Sequence, residues 1–367
     1  MKNILKTPII LMTMMLMSTS SGCIFDNESL MTGEYSTDSG SCKGAQIGHN
    51  DDGKLRILTY DINAISDEMI EQFTNQSGFE VEIIRTDDAG GILEQMFKTK
   101  DAQQADLMIG LDNTYLQSAI DNCLLQYHST EVENISIESL SQNDGDFAVP
   151  FDQGYVCINY DENYVDGENV TIPTSLWNLT EEQWTGKIAF PSPVTSSPGR
   201  AFMVSTIDYF ENDEDNTTNA FDWWRQMRNN GAIFTSGWTE SYEIHYTGGY
   251  GEWTDGHIGE AAMTISYCHS PGVEAYYSSN WTHSKSLTLP KTSFHQIEYT
   301  GIINGAANVV GANQFIEYLL SAEVNSQMPE ANLMYSVLND TDLPETSGYR
   351  YHSEIPTQPC AITSERI

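Results

Sequence analysis

Lys54-Leu55-Arg56-Ile57-Leu58-Thr59-Tyr60-Asp61 at one end and Ala105-Asp106-Leu107-Met108-Ile109-Gly110-Leu111-Asp112-Asn113 at the other bracket the stretch that decides the fold. Each is a short apolar run that stops at a polar turn, as a strand buried on both faces does. Between them, Ser66 is placed to cap a helix through about Gln76, with Met69, Ile70 and Phe73 on one face. Phe79 to Ile84 alternates as a second strand, and Asp88 to Lys100 reads as a second helix. The order strand, helix, strand, helix, strand predicts an α/β fold with a mostly parallel sheet flanked by helices. In such sheets ligands bind just beyond the C-terminal strand ends. Tyr60, Asp61, Asp88, Asp112 and Asn113 fall in those turns and are candidate ligand residues, although Asp and Asn also serve there as turn formers and helix caps.

Outward from this unit the pattern changes. Val149 to Tyr160, a strand-like run containing Pro150, Asp152 and Gly154, reads as a crossing to a second lobe. A second α/β unit follows, with a strand at Lys187 to Pro191, helices at Gly199 to Phe210 and Ala220 to Asn229, and a strand at Ala261 to Tyr267. Gln296 to Ile303 crosses back, and Gly311 to Ser321 and Ala322 to Met328 read as helices of the first lobe. The expected division is a signal peptide at 1–22, a flexible tether at 23–53, one lobe from 54–148 plus 297–367, and the other from 149–296. A cleft is expected between the lobes, and the protein is expected to be a monomer.

Lys2 and Lys6 precede an apolar stretch from Pro8 to Met17 that is too short to span a bilayer but suits a signal-peptide core. Ser20-Ser21-Gly22-Cys23 follows, and small residues before a Cys resemble a lipobox, with Cys23 as the lipidated residue and membrane anchor. Ile24 to Gly53, rich in Ser, Gly, Asp and Asn, is the expected tether. At 367 residues, with 40% hydrophobic content, the chain is long enough for two lobes. Its 16 Lys and Arg against 52 Asp and Glu give a formal charge of −36, which repels phosphate backbones and excludes nucleic acid as a partner. Such a surface also suits high salt, where counterions screen self-repulsion. Removing Cys23 leaves Cys42, Cys123, Cys157, Cys268 and Cys360, an odd set without metal-ligand spacing, whose pairing the sequence leaves open; a Cys42–Cys360 bridge would tie both ends to one lobe. Sequons at Asn134, Asn178 and Asn280 are compatible with surface glycosylation.

Three loops after the first crossing carry the candidate chemistry. Thr195-Ser196-Ser197-Pro198-Gly199 opens a helix and offers hydroxyls and free N–H groups of the kind an anion needs. Ser236 to Tyr242, with Trp238, and Ser266 to Pro271, with Tyr267 and Ser270, supply ring faces for a flat or cationic ligand. Catalytic signatures are missing: no G-x-S-x-G elbow, Walker loop, H-E-x-x-H helix or G-x-G-x-x-G turn occurs, and His245, His257 and His269 lack partners at ligand spacing and read as surface histidines. No enzyme activity, cofactor or bound metal is expected. Tyr276-Tyr277 resembles, as a dipeptide only, the adjacent tyrosines of ferric-ion binding proteins.

Taken in order, Leu58 to Asp61, Ala105 to Asn113, Val149-Pro150-Phe151-Asp152 with Gly154-Tyr155, Ser196 to Gly199, Gly237-Trp238 with Glu240 and Tyr242, Ser266-Tyr267 with Ser270-Pro271, and Met334-Tyr335 resemble the periplasmic thiamine-binding proteins of ABC importers. The resemblance spans nearly all of the chain after the tether. It implies a two-lobed type II periplasmic binding fold and a small-molecule cargo, thiamine or a phosphate ester of it, passed to an importer permease. It also implies that Tyr60, Trp238 and Tyr267 line the pocket, that Asp88 and Ala89 face the aminopyrimidine, and that Ser196, Ser197 and Gly199 meet a phosphate or hydroxyl end. Val273 and Leu333 stand where the family carries rings, and Tyr276 and Tyr335 are near enough in sequence to replace them. The alternatives are a ferric-ion or polyamine carrier, and an extracellular enzyme with an acidic cleft.

Overall fold

The computed structural model describes residues 40, 42–45, 47–60, 65–131, 134–136, 146–211, 219–278, 282–339, 341 and 356–361. The signal segment, Cys23, Asp61 and the sequon at Asn280 lie outside them.

Lys54–Tyr60 (β1) pairs in parallel with Glu80–Thr86 (β2) and with Leu107–Asp112 (β3). The helix Asp67–Ser77 (α1) begins where Ser66 accepts a hydrogen bond from the Met69 N–H at 3.2 Å. It ends at Gly78, whose φ of 78° favours a residue without a side chain. The second helix, Ala89–Lys98 (α2), is capped by Asp88, whose carboxylate accepts from the Ala89 N–H at 2.7 Å. The first lobe is buried on both sides of its sheet: Leu55, Ile57, Phe73, Phe315 and Leu319 pack on one face, and Leu58, Ile92, Met108 and Leu111 on the other.

Two long strands join the halves of the molecule. Val149–Asp161 (β4) runs antiparallel to Phe294–Ile302 (β9), in register from Val149 opposite Thr300 to Val156 opposite Phe294. The outer part of β9 pairs with β3, and the outer part of β4 pairs with Met263–Tyr267 (β7), so each strand belongs to both lobes. The expected crossings near Val149 and Gln296 are therefore one hydrogen-bonded ribbon. With Ile188–Pro191 (β5) and Ile233–Thr235 (β6), the order across the sheet is β2-β1-β3-β9-β4-β7-β5-β6, and Ser284–Leu287 (β8) and Tyr335–Ser336 (β10) both add to β4.

The second lobe is built on aromatic packing. Trp184, Phe190, Phe202, Phe210 and Trp223 are all buried among Ser197–Glu211 (α4), Ala220–Asn229 (α5) and the sheet. Leu116–Asp121 (α3) precedes the first crossing, and Ser270–Tyr277 (α6) follows β7. The chain returns through Val309–Leu319 (α7), Ala322–Asn325 (α8) and Met328–Ala331 (α9), with Phe315 of α7 set edge-on to Phe73 of α1 at 4.7 Å.

Both ends of the expected division shift. Cys42 is disulfide-bonded to Cys123, the Ala45 N–H donates to Asn304 Oδ1 at 3.1 Å, and His49 lies 3.0 Å from the buried Asp106. Residues 42–45 and 47–53 thus lie on the first lobe, and the expected tether cannot extend through them. At the other end, the Cys360 N–H donates to the Ser293 carbonyl and the Ala361 N–H to Asp208, which places 356–361 on the second lobe rather than the first. The second disulfide joins Cys157 of β4 to Cys268, so neither bridge includes Cys360 and a Cys42–Cys360 pair is ruled out.

Candidate functional site

A cleft of about 460 Å³ opens where the first lobe, the ribbon and the second lobe meet. Tyr60, at the end of β1, enters from the first lobe. Its ring lies on the β3 backbone at Gly110, where a Cβ would sit 2.1 Å from the ring and where φ is 99°. That close approach lets the Tyr60 hydroxyl donate to Glu298 Oε2, on β9, at 2.8 Å. Gln296 bridges the ribbon to the second lobe, its amide donating to the Tyr267 hydroxyl at 2.8 Å and to Glu298 Oε1 at 3.1 Å.

The opposite wall is aromatic. Trp238 and Tyr242 stack with centroids 4.9 Å apart and planes 15° apart, and Tyr250 stands 5.6 Å from Tyr242. Trp238 is oriented by its Nε1–H, which donates to Ser266 Oγ at 2.9 Å, and Ser266 is in turn 2.8 Å from Ser270 Oγ. Tyr242 lies in a π-helical turn, Glu240–His245, that aims Glu240, Tyr242 and Glu243 at the cleft. Such turns are frequent at functional sites.

The lining is strongly acidic. Asp87, Asp88, Glu240, Glu243, Glu274 and Glu298 face the cleft, with no Lys or Arg among the described lining residues. Burial pushes Asp88 up to about 7 and Glu274 up to about 8, the former aided by repulsion from Asp112. Glu298 is held well above the usual carboxylate range by burial and by the neighbouring Asp152. Glu240 is lowered instead, because the Ser236 hydroxyl and N–H both donate to it at 2.7 Å. His269, far from being a surface residue, is buried in the cleft floor with its Nε2 2.8 Å from the Leu333 carbonyl, and burial lowers it to about 4, so it is neutral. In the lining, the buried Tyr242 hydroxyl and Glu274 Oε1 have no hydrogen-bond partner among the described residues.

Of the expected ligand residues, Tyr60, Asp88, Ser197, Trp238, Tyr242, Tyr267 and Ser270 line the cleft. Ala89, Asp112, Asn113, Asp152, Ser196, Gly199 and Tyr335 do not, and each has a structural occupation. Ala89 is packed in the core as the first residue of α2. Asp112 accepts from the Thr114 N–H at 2.6 Å; Asn113 ties β3 to β9 through the His295 carbonyl and the Ile297 N–H. Asp152 accepts from the Asn332 side chain, and Ser196 is fully buried behind Ser197. Gly199 is required because a Cβ there would meet the Pro191 carbonyl at 2.4 Å. Tyr335 pairs in β10 with Gln153, its ring 4.6 Å from His269. Val273 and Leu333 do line the cleft, but Tyr276 donates to Glu330 at 2.8 Å outside it, so neither Tyr276 nor Tyr335 replaces their missing rings. Tyr250 also lines the cleft, beside Tyr242, and was not anticipated. Nor were Glu274, Glu298 and Asn332; a Glu set between Ile297 and Tyr299 in a strand was the signal available for Glu298.

Two α/β lobes on a shared ribbon, closing over a polar and aromatic cleft at the strand ends, define a protein that encloses a small solute. The match of a family model over residues 68–336 makes this explicit: the chain belongs to the bacterial extracellular solute-binding protein family. It is 22% identical over 291 residues to a thiamine-binding periplasmic protein of Escherichia coli, covering 78% of this chain and 82% of that one. Among solved structures it resembles a periplasmic thiamin binding protein, with a TM-score of 0.70, 21% identity, and 88% and 94% of the two chains covered. It also resembles a ferric binding protein from Campylobacter jejuni, with a TM-score of 0.66, 17% identity, and 85% and 94% covered. These structural likenesses establish the two-lobed type II binding fold.

Proposed function

We propose that this protein captures thiamine, or a closely similar aromatic cation, and hands it to the permease of an ABC importer. The observation that carries the reading is the pairing of a stacked Trp238–Tyr242 wall with an acidic lining that holds no Lys or Arg among the described residues. Thiamine is a permanent thiazolium cation joined to a hydrogen-bonding aminopyrimidine; it calls for ring faces, nearby carboxylates and directional polar groups. The thiamine-binding relatives support the same reading. The ligand is cargo, held without covalent chemistry, and capture is completed by hinge closure along the ribbon. We further read Cys23 as a lipid anchor that holds a monomeric carrier at the outer face of the membrane.

A ferric site would need a cluster of oxygen ligands, and no group of three His, Cys, Asp or Glu side chains placed to hold a metal ion occurs among the described residues. A polyamine remains the second reading, because the carboxylates flank rings. Calorimetric titration with thiamine and with spermidine, alongside mass spectrometry of ligand co-purified with the native protein, separates the two. Tight binding of thiamine and weak binding of spermidine is the expected result; the reverse order would overturn the proposal.

A further inference from the structure

We infer that Glu298 is the counter-charge for the captured cation, and that it takes this role by releasing its proton to solvent as the cation enters, so that capture is coupled to proton release. The inference rests on the reading of the cargo as a cation and adds how the site tells that cation from a neutral molecule of the same shape.

Glu298 lies at the centre of a row of carboxyls. In the register of the sheet it stands opposite Asp112 of β3 on one side and opposite Asp152 of β4 on the other. All three are buried, and of the three only Glu298 lines the cleft. Adjacent buried carboxyls cannot all ionise on their own, because each buried charge raises the cost of the next. Arg200 acts on Asp112, and no Lys or Arg among the described residues lines the cleft. The other titratable groups that act on Glu298 or are acted on by it are Tyr60 of β1, Asp88 at the head of α2 and Tyr267 of β7, and none of them supplies a positive charge. His269 in the cleft floor is neutral, and Glu274 of α6 adds a further acid to the lining. Before a cation arrives the row therefore keeps protons, in line with the upward push that burial and Asp152 give Glu298.

Glu298 is also the member of the row prepared to carry charge. Its Oε2 lies 2.8 Å from the Tyr60 hydroxyl, and its Oε1 accepts from the Gln296 amide at 3.1 Å. By contrast, Asp112 Oδ2 and Asp152 Oδ1 have no hydrogen-bond partner among the described residues. The Tyr60 contact serves both protonation states. Ionised, Glu298 accepts from the Tyr60 hydroxyl; protonated, it donates to the same oxygen, and the Tyr60 proton turns to Asn332 Oδ1 at 3.3 Å. A cation in the cleft supplies the positive charge that the row lacks, which favours the ionised form of the member that faces it. A neutral isostere supplies none and leaves the proton in place. Because binding and proton loss are linked, affinity for the cation rises with pH wherever Glu298 is protonated in the free protein and ionised in the complex.

The test is calorimetric titration of the full chain with thiamine at about pH 7 in two buffers of different ionisation enthalpy, Pipes and ACES; the difference in apparent binding enthalpy counts the protons released. Wild type is expected to release about 0.5 to 1 proton per thiamine, and its affinity to rise about three- to tenfold from about pH 6 to about pH 7. Glu298→Gln keeps the size of the side chain and an oxygen that accepts from Tyr60; it is expected to bind thiamine more weakly and to release less than about half as many protons. A melting curve checks that the variant is folded. Thiamine binding by the wild type with no proton released would overturn the inference and leave the cargo reading standing, whatever the variant does. An unchanged proton count in folded Glu298→Gln would overturn the assignment to Glu298. No binding of thiamine at all would take down the cargo reading and this inference with it.

Discussion

Replacing Trp238 with Ala removes the ring that faces the cleft while leaving its stacking partner Tyr242 in place. One indole face covers on the order of 60 Å² of a flat ligand, which at about 25 cal/mol per Å² is about 1.5 kcal/mol of lost apolar contact. Lost attraction between the thiazolium charge and the ring quadrupole adds about 1 kcal/mol. The sum, about 2 to 3 kcal/mol, corresponds to a loss of about 30- to 150-fold in affinity. Trp238→Phe restores a ring face and should recover most of the loss. It should not recover all of it, because the Nε1–H donated to Ser266 at 2.9 Å is gone, although Ser266 keeps Ser270. Trp238 is only half-buried, so the Ala variant should stay folded. The assay is calorimetric titration with thiamine, with a melting curve for each variant. Unchanged thiamine affinity in a stably folded Trp238→Ala protein would refute the aromatic wall as the ligand platform.

Asp88 and Glu274, raised by burial to about 7 and about 8 from ordinary values of 3.8 and 4.5, keep protons in the native state that the unfolded chain has already released. Their contribution to stability is therefore lost as pH rises through about 4 to 8, so the ligand-free melting temperature should fall across that window and the slope should flatten in an Asp88→Asn, Glu274→Gln double variant. A slope unchanged in the variant would show that these groups do not titrate as described. Breaking the Cys42–Cys123 bridge by Cys42→Ser should cost about 2 to 4 kcal/mol and expose residues 42–53 to protease; intact resistance to cleavage would mean that the strand bridge at Ile47 and the His49–Asp106 contact hold the segment alone. Cys23→Ser should move the protein from the membrane to the soluble fraction with thiamine affinity unchanged, and membrane retention would sink the anchor.

The first lobe was legible because its parallel strands are continuous apolar runs with caps at their ends. Ser66 and Asp88 cap the helices expected of them, and the two crossings near Val149 and Gln296 coincide with β4 and β9. Trp238 and Tyr242 stood out in the sequence as rings in a polar stretch, and both line the cleft, Tyr242 from a buried position. Less legible were the residues whose role depends on depth. Asp112, Asn113 and Asp152 look like ligand residues by position, yet each is spent on bonds that fix the backbone under the cleft. Glu274 and Glu298 look like surface charges by type, yet a helix and a strand carry them into the lining. Which side of a turn a polar side chain serves is decided by packing between elements distant in sequence, and local pattern does not carry that information. The course of residues 42–53 and 356–361 was hidden for the same reason, because a disulfide and a few backbone bonds, not periodicity, hold them.

That last pair of segments has a practical outcome. One end of the described chain is stitched to the first lobe through Cys42, and the other, at Cys360 and Ala361, to the second. A fluorescent dye attached beside each would sit on a different lobe, and energy transfer between them would test the proposed hinge closure without a label near the cleft.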